Sequence, residues 1–361
     1  MTTIAEVARE AGVGVGTVSR VINGSGAVSE PTRRRVLDAV HRLGYAPNAA
    51  ARALSTGRTN RVAVVAPFVT SASVVERLRG VARVLSGAER QLILFDVERP
   101  EQRSACFGSL AGGGSVDGVL SISLCPTDEE IARFEAAGAA LVLLDRAHPA
   151  LPSVTIDDVA GGRLATEHLL ALGHERIAFV GDADGDAYGF TSSDARLVGY
   201  EAALRDAGLE PDPELVVRGG LGRLEGGRAA LRLLALDEPP TAVFAASDDQ
   251  ALGVLDAAAE ACISVPEALS VVGFDDVEVA RWAGLTTVAQ PLEESGEEGA
   301  RLLLAAAEGA PARSRRLELR LVRRLTTAEP GTMRGRPRAA GGSFVNRPWR
   351  SGAECQSVLQ F

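Results

Sequence analysis

Three apolar stripes at helical spacing open the chain and predict three helices. The stripes consist of Ile4, Val7, Ala8 and Ala11; of Val18, Val21 and Ile22; and of Val36, Leu37, Val40 and Leu43. Thr3 and Glu6 carry the signature of a capping box at the first helix, and Gly12 suits the left-handed turn that ends it. The second helix is expected over about 15–23, and the third is expected to end at Gly44.

The second of these helices has a polar outer face. Its members are Gly16, Thr17, Ser19, Arg20 and Asn23. Two short helices joined by a glycine turn, with such a face on the second, are typical of a helix-turn-helix. On the third helix, which Ser29 is expected to cap, the run 33–35 of three arginines is either a solvated face or a set of phosphate neighbours.

Strand and helix signals then alternate regularly from about residue 61 to residue 326. The predicted strands are 61–67, 91–95, 118–122, 140–144, 153–156, 176–180, 215–217, 242–246 and 270–274. The predicted helices are 74–86, 128–137, 160–172, 194–207, 226–236, 248–259 and 292–308. This alternation implies parallel sheets with helices on both faces, and its length implies two doubly wound subdomains. The predicted fold class is therefore α/β, behind an all-α head.

Composition and charge narrow the class of protein. The chain has 361 residues, enough for two or three domains. It has no charge-free apolar run of about 18 residues, so no membrane partner is expected. Residues 1–6 lack the pattern of a signal peptide, which favours the cytoplasm, and the four scattered cysteines are expected to be free thiols.

The charges are distributed unevenly along the chain. Residues 1–60 carry eight arginines and four carboxylates, whereas residues 61–330 carry 25 arginines and 42 carboxylates. A basic head on an acidic body suits a protein whose head alone touches a polyanion. Nucleophile elbows, phosphate loops and dinucleotide fingerprints are not found, and the histidines lack metal-ligand spacing. We therefore expect no enzyme activity, no cofactor and no metal.

One motif pattern runs without a gap through residues 2–59. It includes Thr3-Ile-Ala-Glu-Val-Ala, Ala11-Gly-Val, Thr17-Val-Ser-Arg-Val-Ile-Asn-Gly24, Leu43-Gly-Tyr45, Pro47-Asn48-Ala and Ala51-Arg-Ala-Leu54. This head resembles that of the lactose-repressor (LacI/GalR) family of transcriptional regulators. The resemblance implies that the protein binds double-stranded operator DNA as a homodimer, most simply as a repressor, and lies on the bacterial nucleoid.

The resemblance also implies which head residues contact DNA. Val15 and Gly16 open the helix that would read the major groove, but neither side chain can hydrogen-bond to a base. Arg20 is the better reader, because its guanidinium can hold guanine O6 and N7 together. The remaining predicted DNA contacts are Thr3, Thr17, Ser19, Asn23, Tyr45, Asn48 and Arg52.

Residues 48–55 resemble the hinge helix of the family. Eight alanine-rich residues are too few to be helical alone in water, so we expect them to order only when two copies meet on the minor groove. Leu54 matches the wedge that kinks a central base step, although a core leucine is the alternative. We assign 1–47 to the head and 48–60 to the hinge and linker.

The body resembles periplasmic sugar-binding proteins over several motifs. These are Ile156-Asp-Asp-Val-Ala-Gly-Gly162, His168 to Gly181, Arg196, Gly199-Tyr200, Ser247-Asp248, Ala251-Leu-Gly253, Val265-Pro266, Ser270 to Asp276, Leu285-Thr-Thr-Val288 and Gln290-Pro291. The resemblance implies two subdomains joined by crossovers near 156–162, 285–291 and 309–316. The first subdomain would comprise about 61–158 and 289–312, and the second about 159–288 and 313–328, leaving 329–361 as a disordered tail.

A small-molecule effector, by resemblance a sugar or sugar derivative, would bind in the cleft between the subdomains. Polar residues just after strands are placed there, because open sheets bind ligands at the carboxyl ends of their strands. Asp145, Asp248 and Asp275 come just after strands, and Arg196 lies at the start of a helix. The resemblance implies that Arg196, Asp248 and Asp275 contact the effector, and the predicted contacts also include Asp145, Ser71 and Ser73. Each of the charged residues could instead be a helix cap or a surface ion pair, and Asp276 is expected to be a turn residue. Many relatives carry an aromatic ring after the first body strand that would stack on a sugar face. That ring is expected to be missing here, and Tyr188, Phe190 or Trp282 would have to replace it.

Overall fold

The computed structural model describes residues 2–24, 26–45, 58–112, 114–183, 185, 187–311 and 313–331. The predicted hinge helix with Asn48, Arg52 and Leu54 lies outside the described residues, as does almost all of the predicted tail. Within the described ranges, no helix is both long enough and apolar enough to cross a membrane.

The head consists of three helices, α1 (Ile4–Ala11), α2 (Val15–Asn23) and α3 (Glu30–Leu43). Both hydrogen bonds of the predicted capping box between Thr3 and Glu6 are present. Each helix ends at a glycine with a left-handed backbone, as the sequence predicts for α1 and α3. The buried side chains of the three helices form one small core. They are Val7, Ala8, Ala11, Val18, Val21, Val36 and Ala39.

One predicted core position of the head is wrong. Leu37 is 49% exposed, while Ala39 is fully buried. Val36, Ala39, Val40 and Leu43 have the i, i+3, i+4, i+7 spacing of one helical face, and Leu37 lies about 100° around the helix from Val36. The buried stripe of α3 is therefore narrower than the sequence suggested.

The body alternates strands and helices along the chain. Its first part contains β1 (Arg61–Ala66), α4 (Ala72–Gly87), β2 (Gln91–Asp96), α5 (Pro100–Ala111), β3 (Gly118–Ile122), α6 (Asp128–Ala136), β4 (Ala140–Leu144) and β5 (Ser153–Thr155). Its second part contains α7 (Asp158–Ala171), β6 (Ile177–Asp182), α8 (Ser192–Asp206), β7 (Val216–Gly219), α9 (Gly222–Leu234), β8 (Ala242–Ala245), α10 (Asp248–Glu260), β9 (Ser270–Asp275), α11 (Glu278–Trp282) and β10 (Thr286–Ala289). The chain closes with α12 (Leu292–Ala307), β11 (Arg315–Arg316) and β12 (Arg320–Val322).

These strands form two six-stranded sheets, which define the first and second subdomains. The first sheet has the order β11-β5-β4-β3-β1-β2 and the second the order β12-β10-β9-β8-β6-β7. Neighbouring strands are parallel except for β12, which runs antiparallel to β10. Apolar side chains pack on both faces of each sheet, which explains why the strands read as almost continuous hydrophobic runs. The predicted α/β fold class is confirmed.

Over the described residues, the chain crosses between the two sheets three times. Two crossings follow β5 and β10. The third lies later than predicted, because β11 still pairs with β5 of the first sheet, with Arg315 opposite Val154. The predicted start of the last segment of the second subdomain, at residue 313, is therefore too early, and that segment begins with β12.

The sequence also missed helix α5. Pro100 occupies its first turn, and the Gln102 side chain accepts a hydrogen bond from the Arg99 backbone N–H. Phe107, Leu110 and Ala111 are its buried residues. So short an apolar face gives a weak helical period, which explains why the helix was not predicted.

Helices α4 and α12 touch backbone to backbone at a pair of glycines. A β-carbon added to Gly80 would lie 2.0 Å from the Glu293 carbonyl oxygen, and one added to Gly296 would lie 2.0 Å from the Arg77 carbonyl oxygen. Glycine is required at both positions for this close approach. The contact brings α4 against the start of α12, next to the strand end that carries Gln290.

Candidate nucleic-acid interface and ligand cleft

The outer face of α2 is the part of the head that is open to a partner. Val18 and Val21 anchor the helix in the head core, while Val15 is 45% exposed and Gly16 and Arg20 are also exposed. The Arg20 stem passes close to the next loop, since a β-carbon added to Gly26 would lie 3.2 Å from its Cδ. Arg20 therefore stands out from a helix whose orientation the core fixes.

The N-terminus of α2 offers backbone donors to an anion. Gly14 occupies the cap position, and no side chain of the described residues caps the helix there. Uncapped N–H groups and the positive end of the helix dipole favour a phosphate group at such a terminus. Val15 and Gly16, which cannot read bases by hydrogen bonds, thus lie where a DNA backbone could be held.

The side chains of the other predicted DNA contacts differ in how strongly they are engaged within the head itself. The Asn23 amide donates a 3.2 Å hydrogen bond to the Ser19 hydroxyl, and Thr3 is engaged in its capping box. Tyr45 packs partly buried against the head core. Thr17 is half-buried on the same helix as Arg20. The contacts of these residues with DNA stay predictions.

A chain of charged and polar groups joins the two subdomains at the carboxyl ends of their strands. Arg77 on α4 donates to Asp145 Oδ1, after β4, at 2.6 Å and to Gln290 Oε1, after β10, at 3.1 Å. The Gln290 amide in turn donates to Asp275 Oδ1 at the end of β9. Ser123, after β3, donates to the other oxygen of Asp145 at 3.0 Å. Asp145 and Asp275, which both lie at the carboxyl ends of strands, are thus linked in one network through Arg77 and Gln290.

Arg77 is the central member of this chain, and sequence reasoning missed it. Its side chain is only 3% exposed, and no group among the described residues accepts from its Nε. A signal was present, because Arg77 is three residues after Val74 and four before Val81, on the buried face of its helix. A charge on a core-facing stripe is the pattern that could have revealed it.

Arg196 forms a second buried cluster in the second subdomain. Its guanidinium contacts Asp158 through Nε at 2.9 Å and through Nη2 at 2.8 Å, and it donates to the Ala246 carbonyl. The guanidinium carbon lies 3.6 Å from the centre of the Phe274 ring, in cation–π contact. Asp158, at the start of α7, was not among the predicted site residues.

Strained backbone marks the same strand ends. Ser123 and Asp145 have φ values of 58° and 63°, and Asp275 and Asp276 have φ values of 121° and 62°. Non-glycine residues in this region are costly and tend to occur at functional sites.

Burial also shifts the acidity of these carboxyls. Burial raises the pKa of Asp275 from its ordinary 3.8 to about 6, although Arg196 opposes the shift. Burial likewise raises the pKa of Asp158, against the pull of Arg196. Perturbed carboxyls that converge with buried arginines are typical of a ligand site.

An aromatic cluster spans the two subdomains beside this network. Tyr188 stacks on Phe190 with ring centres 5.2 Å apart and planes 7° apart, and Phe68 meets Tyr188 edge-on at 5.2 Å. The Tyr188 hydroxyl donates to the Glu98 carbonyl of the first subdomain. The segment after β1 therefore does contribute a ring, Phe68, whereas Trp282 is 79% exposed on α11.

Comparison with known proteins identifies this architecture. The family model described as bacterial regulatory proteins, lacI family, matches residues 3–48, and that of a periplasmic binding protein-like domain matches residues 166–327. The regulator CelR of Thermobifida fusca is 41% identical over 315 residues, which are 84% of this chain and 91% of CelR. The chain belongs to the LacI family of bacterial regulatory proteins.

Two solved structures extend this LacI-family likeness to the fold. The complex of the transcriptional regulator CelR with cellobiose is 36% identical, with a TM-score of 0.67 over 90% of this chain and 100% of that one. The lac repressor dimer bound to operator and the anti-inducer ONPF is 26% identical, with a TM-score of 0.79 over 91% of this chain and 99% of that one. The resemblance noted in the sequence is thereby confirmed.

One predicted effector contact of this LacI-family chain is not presented to the cleft. Asp248 is fully buried, and its carboxylate accepts from the Thr287 hydroxyl at 2.6 Å and from the Val277 N–H at 2.9 Å. Burial raises its pKa well above the ordinary value. Asp248 links α10 to β10 and to the loop after β9. Although it follows a strand, its side chain stabilises the fold and is not exposed in the cleft.

The remaining predicted polar residues occupy different places. Ser71 occupies the cap position of α4 without a capping side-chain hydrogen bond, and Ser73 lies in the first turn, where its carbonyl accepts from Arg77. Asp276, expected as a turn residue, is buried in an ion pair with Arg324.

The histidines that can be placed in contacts have structural partners. His174 bonds with Thr241, Ser270 and the Ala328 carbonyl, and His168 bonds with Thr327, so both hold the last described segment. His148 lies against Asp128. Over the described ranges, no cluster of histidine, cysteine and carboxylate side chains has the arrangement of a metal site.

Proposed function

We propose that this LacI-family regulator is an effector-controlled transcriptional repressor that binds a near-palindromic operator as a homodimer. The observation that carries the proposal is the open face of α2, with Arg20 exposed above a fixed helix, on the same chain as a cleft lined by buried charges. Two similar proteins support it: the lac repressor dimer has been solved bound to operator and CelR has been solved bound to cellobiose.

In this proposal α2 enters the major groove of each half-site. Arg20 holds a guanine edge, and the amide end of α2 at Val15 and Gly16 holds a backbone phosphate. The hinge at 48–55 then contacts the minor groove with Leu54 at the central step. Half-sites one helical turn or a multiple apart would follow from the twofold symmetry of the dimer.

Exposed apolar side chains support self-association of the body. Leu92 and Leu94 are exposed on β2, the free edge strand of the first sheet. In the second subdomain, Leu224 on α9 is 67% exposed and Trp282 on α11 is largely exposed. Exposed apolar surface of this kind often marks a protein interface, and twofold dimers are the commonest oligomers of soluble proteins.

The cleft favours a neutral, hydroxyl-rich effector. Asp145, Asp158 and Asp275 supply acceptors, while Arg77 and Arg196 supply donors and nearly balance their charge. The buried Arg77 Nε is a donor that a ligand hydroxyl or a water could satisfy. The rings of Phe68, Tyr188 and Phe190 give an apolar wall against which a sugar face could stack. A sugar or sugar derivative is therefore the proposed class.

Regulation would follow from linkage between these two sites. An effector that binds one arrangement of the subdomains better than another changes operator affinity, and operator changes effector affinity by the same factor. We propose no enzymatic turnover of the bound sugar and place the protein in the cytoplasm, where its operator lies.

The test begins with selection of duplexes from a random DNA pool by the purified full-length protein. A near-palindromic sequence bound at least about 1,000-fold more tightly than random duplex is expected at physiological salt. Equal affinity for every duplex, with only a salt dependence, would instead indicate a nonspecific architectural protein. Thermal-shift measurements with a panel of sugars and nucleosides, cellobiose included, then test the cleft, and chromatography of the bound sugar afterwards tests for turnover.

A further inference from the structure

The carboxylate of Asp117 holds the end of the DNA linker. It accepts from the Thr59 N–H at 2.6 Å, from the Thr59 hydroxyl at 2.7 Å and from the Asn60 N–H at 2.9 Å. Arg90 adds an ion pair at 3.0 Å and also contacts the Asn60 side chain. A carboxylate has about four acceptor positions, so this one is fully used by the linker and Arg90.

The backbone around this contact is fixed in an uncommon shape. Asn60 has a φ of 55°, in the left-handed region that asparagine tolerates better than most residues. Its carbonyl accepts from the Gln91 N–H at 2.8 Å, and the Asp117 N–H donates to the Arg61 carbonyl at 2.7 Å. Residues 59–61 are therefore locked between β2 and β3 at the point where the chain enters β1.

Asp117 also lies at one end of a strand whose other end reaches the cleft. It directly precedes β3, and Ser123 directly follows β3 and donates to Asp145. Five strand residues span only about 17 Å. The linker contact and the effector network are thus attached to the two ends of one rigid element.

From this geometry we infer that Asp117 is a positioning residue for operator binding, which fixes the path of the DNA linker as it leaves the body. The inference rests on the proposed operator-binding function. Because the linker is already held at Thr59 and Asn60 in the free protein, it loses less conformational entropy when the protein binds DNA. Asp117 itself contacts no DNA in this scheme.

The test uses the full-length protein with Asp117→Asn, Thr59→Val and Thr59→Ser. Asp206→Asn is the matched control, because Asp206 also pairs with an arginine, Arg163 at 2.7 Å, but on an exposed face of the second subdomain. Hydrogen exchange at the Thr59 and Asn60 amides and affinity for the selected palindromic duplex and for random duplex are measured for each variant.

We expect Asp117→Asn to speed exchange at the two amides and to weaken binding of the palindromic duplex about tenfold, because hydrogen bonds to a charged group are lost. Random duplex should be bound within about twofold of wild type, since phosphate contacts are unchanged. Thr59→Val should show a smaller loss of about threefold, and Thr59→Ser, which keeps the hydroxyl, should restore wild-type affinity. Asp206→Asn should match wild type in both measurements.

Faster amide exchange with unchanged affinity for the palindromic duplex would overturn the inference, because the contact would then be structural only. Equal affinities for the Thr59→Val and Thr59→Ser variants would overturn it as well, and this pair decides the question if Asp117→Asn does not fold. A wild-type protein that shows no preference for any palindrome would refute the proposed function instead, and the amide exchange would still report whether Asp117 holds the linker.

Discussion

Replacement of Arg196 by alanine should destabilise the second subdomain strongly. The side chain is 8% exposed and forms two contacts with Asp158, which is itself 18% exposed. Alanine removes both contacts, the hydrogen bond to the Ala246 carbonyl and the packing on Phe274. The carboxylate of Asp158 would then remain buried without its partner.

The size of the effect follows from that unpaired charge. Removing one partner of a buried ion pair costs about 3–5 kcal/mol, and the slight exposure of Asp158 favours the lower end. For a domain of this size, each kcal/mol lowers the melting temperature by roughly 2–4 °C, so a fall of about 6–12 °C is expected at pH 7.5. The loss should be smaller at pH 5. Burial without Arg196 raises the pKa of Asp158 further, and a carboxyl with a raised pKa destabilises the fold above that pKa and no longer does so once protonated.

Thermal unfolding of the single and double variants tests this reasoning. Asp158→Asn added to Arg196→Ala should recover part of the lost stability, because it removes the unpaired charge. The matched control is Arg163→Ala, which breaks an exposed contact between the same two helices, α7 and α8, and should cost less than about 1 kcal/mol. A fall of under about 2 °C for Arg196→Ala, or strictly additive losses in the double variant, would refute the account of a coupled buried pair.

Three further outcomes are expected. Arg20→Ala should weaken binding of the selected duplex by about 10–100-fold. The control Arg35→Ala, which changes an exposed residue on α3, should weaken binding of the selected and the random duplex equally. Equal losses for both duplexes in Arg20→Ala would show that Arg20 does not read a base. Asp275, whose pKa is raised by burial from 3.8 to about 6, keeps a proton in the folded state that the unfolded state has lost, so its contribution to stability falls as pH rises between these values, by about 3 kcal/mol. Asp275→Asn should therefore flatten the pH dependence of the unfolding free energy in that window, and parallel curves for variant and wild type would contradict the assignment. Joint replacement of Leu224 and Trp282 by serine should shift the protein towards monomers in sedimentation experiments and lower operator affinity by at least tenfold. An unchanged dimer would show that these two side chains do not hold the protomers together.

The head shows how much local sequence can predict. The capping box of Thr3 and Glu6, the glycines that end α1 and α3, and the span of α2 all depend on neighbours within a few residues, and all were predicted. Leu37 was wrongly assigned to the core because it is adjacent to Val36, and the apolar pattern alone does not show where the buried face of a helix ends.

The cleft was predicted only in part, because its geometry depends on distant partners. Asp145 and Asp275 follow from the rule that polar residues at strand ends converge. Arg196, on helix α8, came from the family resemblance. Arg77 and Gln290 are 213 positions apart along the chain, and only the crossings after β5 and β10 bring them together. Asp248 satisfied the same rule, yet its side chain turns towards β10, and position along a strand does not specify that direction.

The crossings also impose an order on synthesis of the protein. When the ribosome has completed β5, the first sheet still lacks its edge strand β11 and the helix α12, which packs on α4 and buries Leu120 and Leu144. Synthesis at about 5–20 residues per second leaves that apolar face uncovered for several seconds, while strands β6 to β10 of the second sheet are made. The first subdomain is thus begun first, but it is completed only after five strands of the second subdomain, β6 to β10, have been made. A fragment that ends at residue 156, and so lacks α12 and β11, should accordingly depend on chaperones far more than the full chain does.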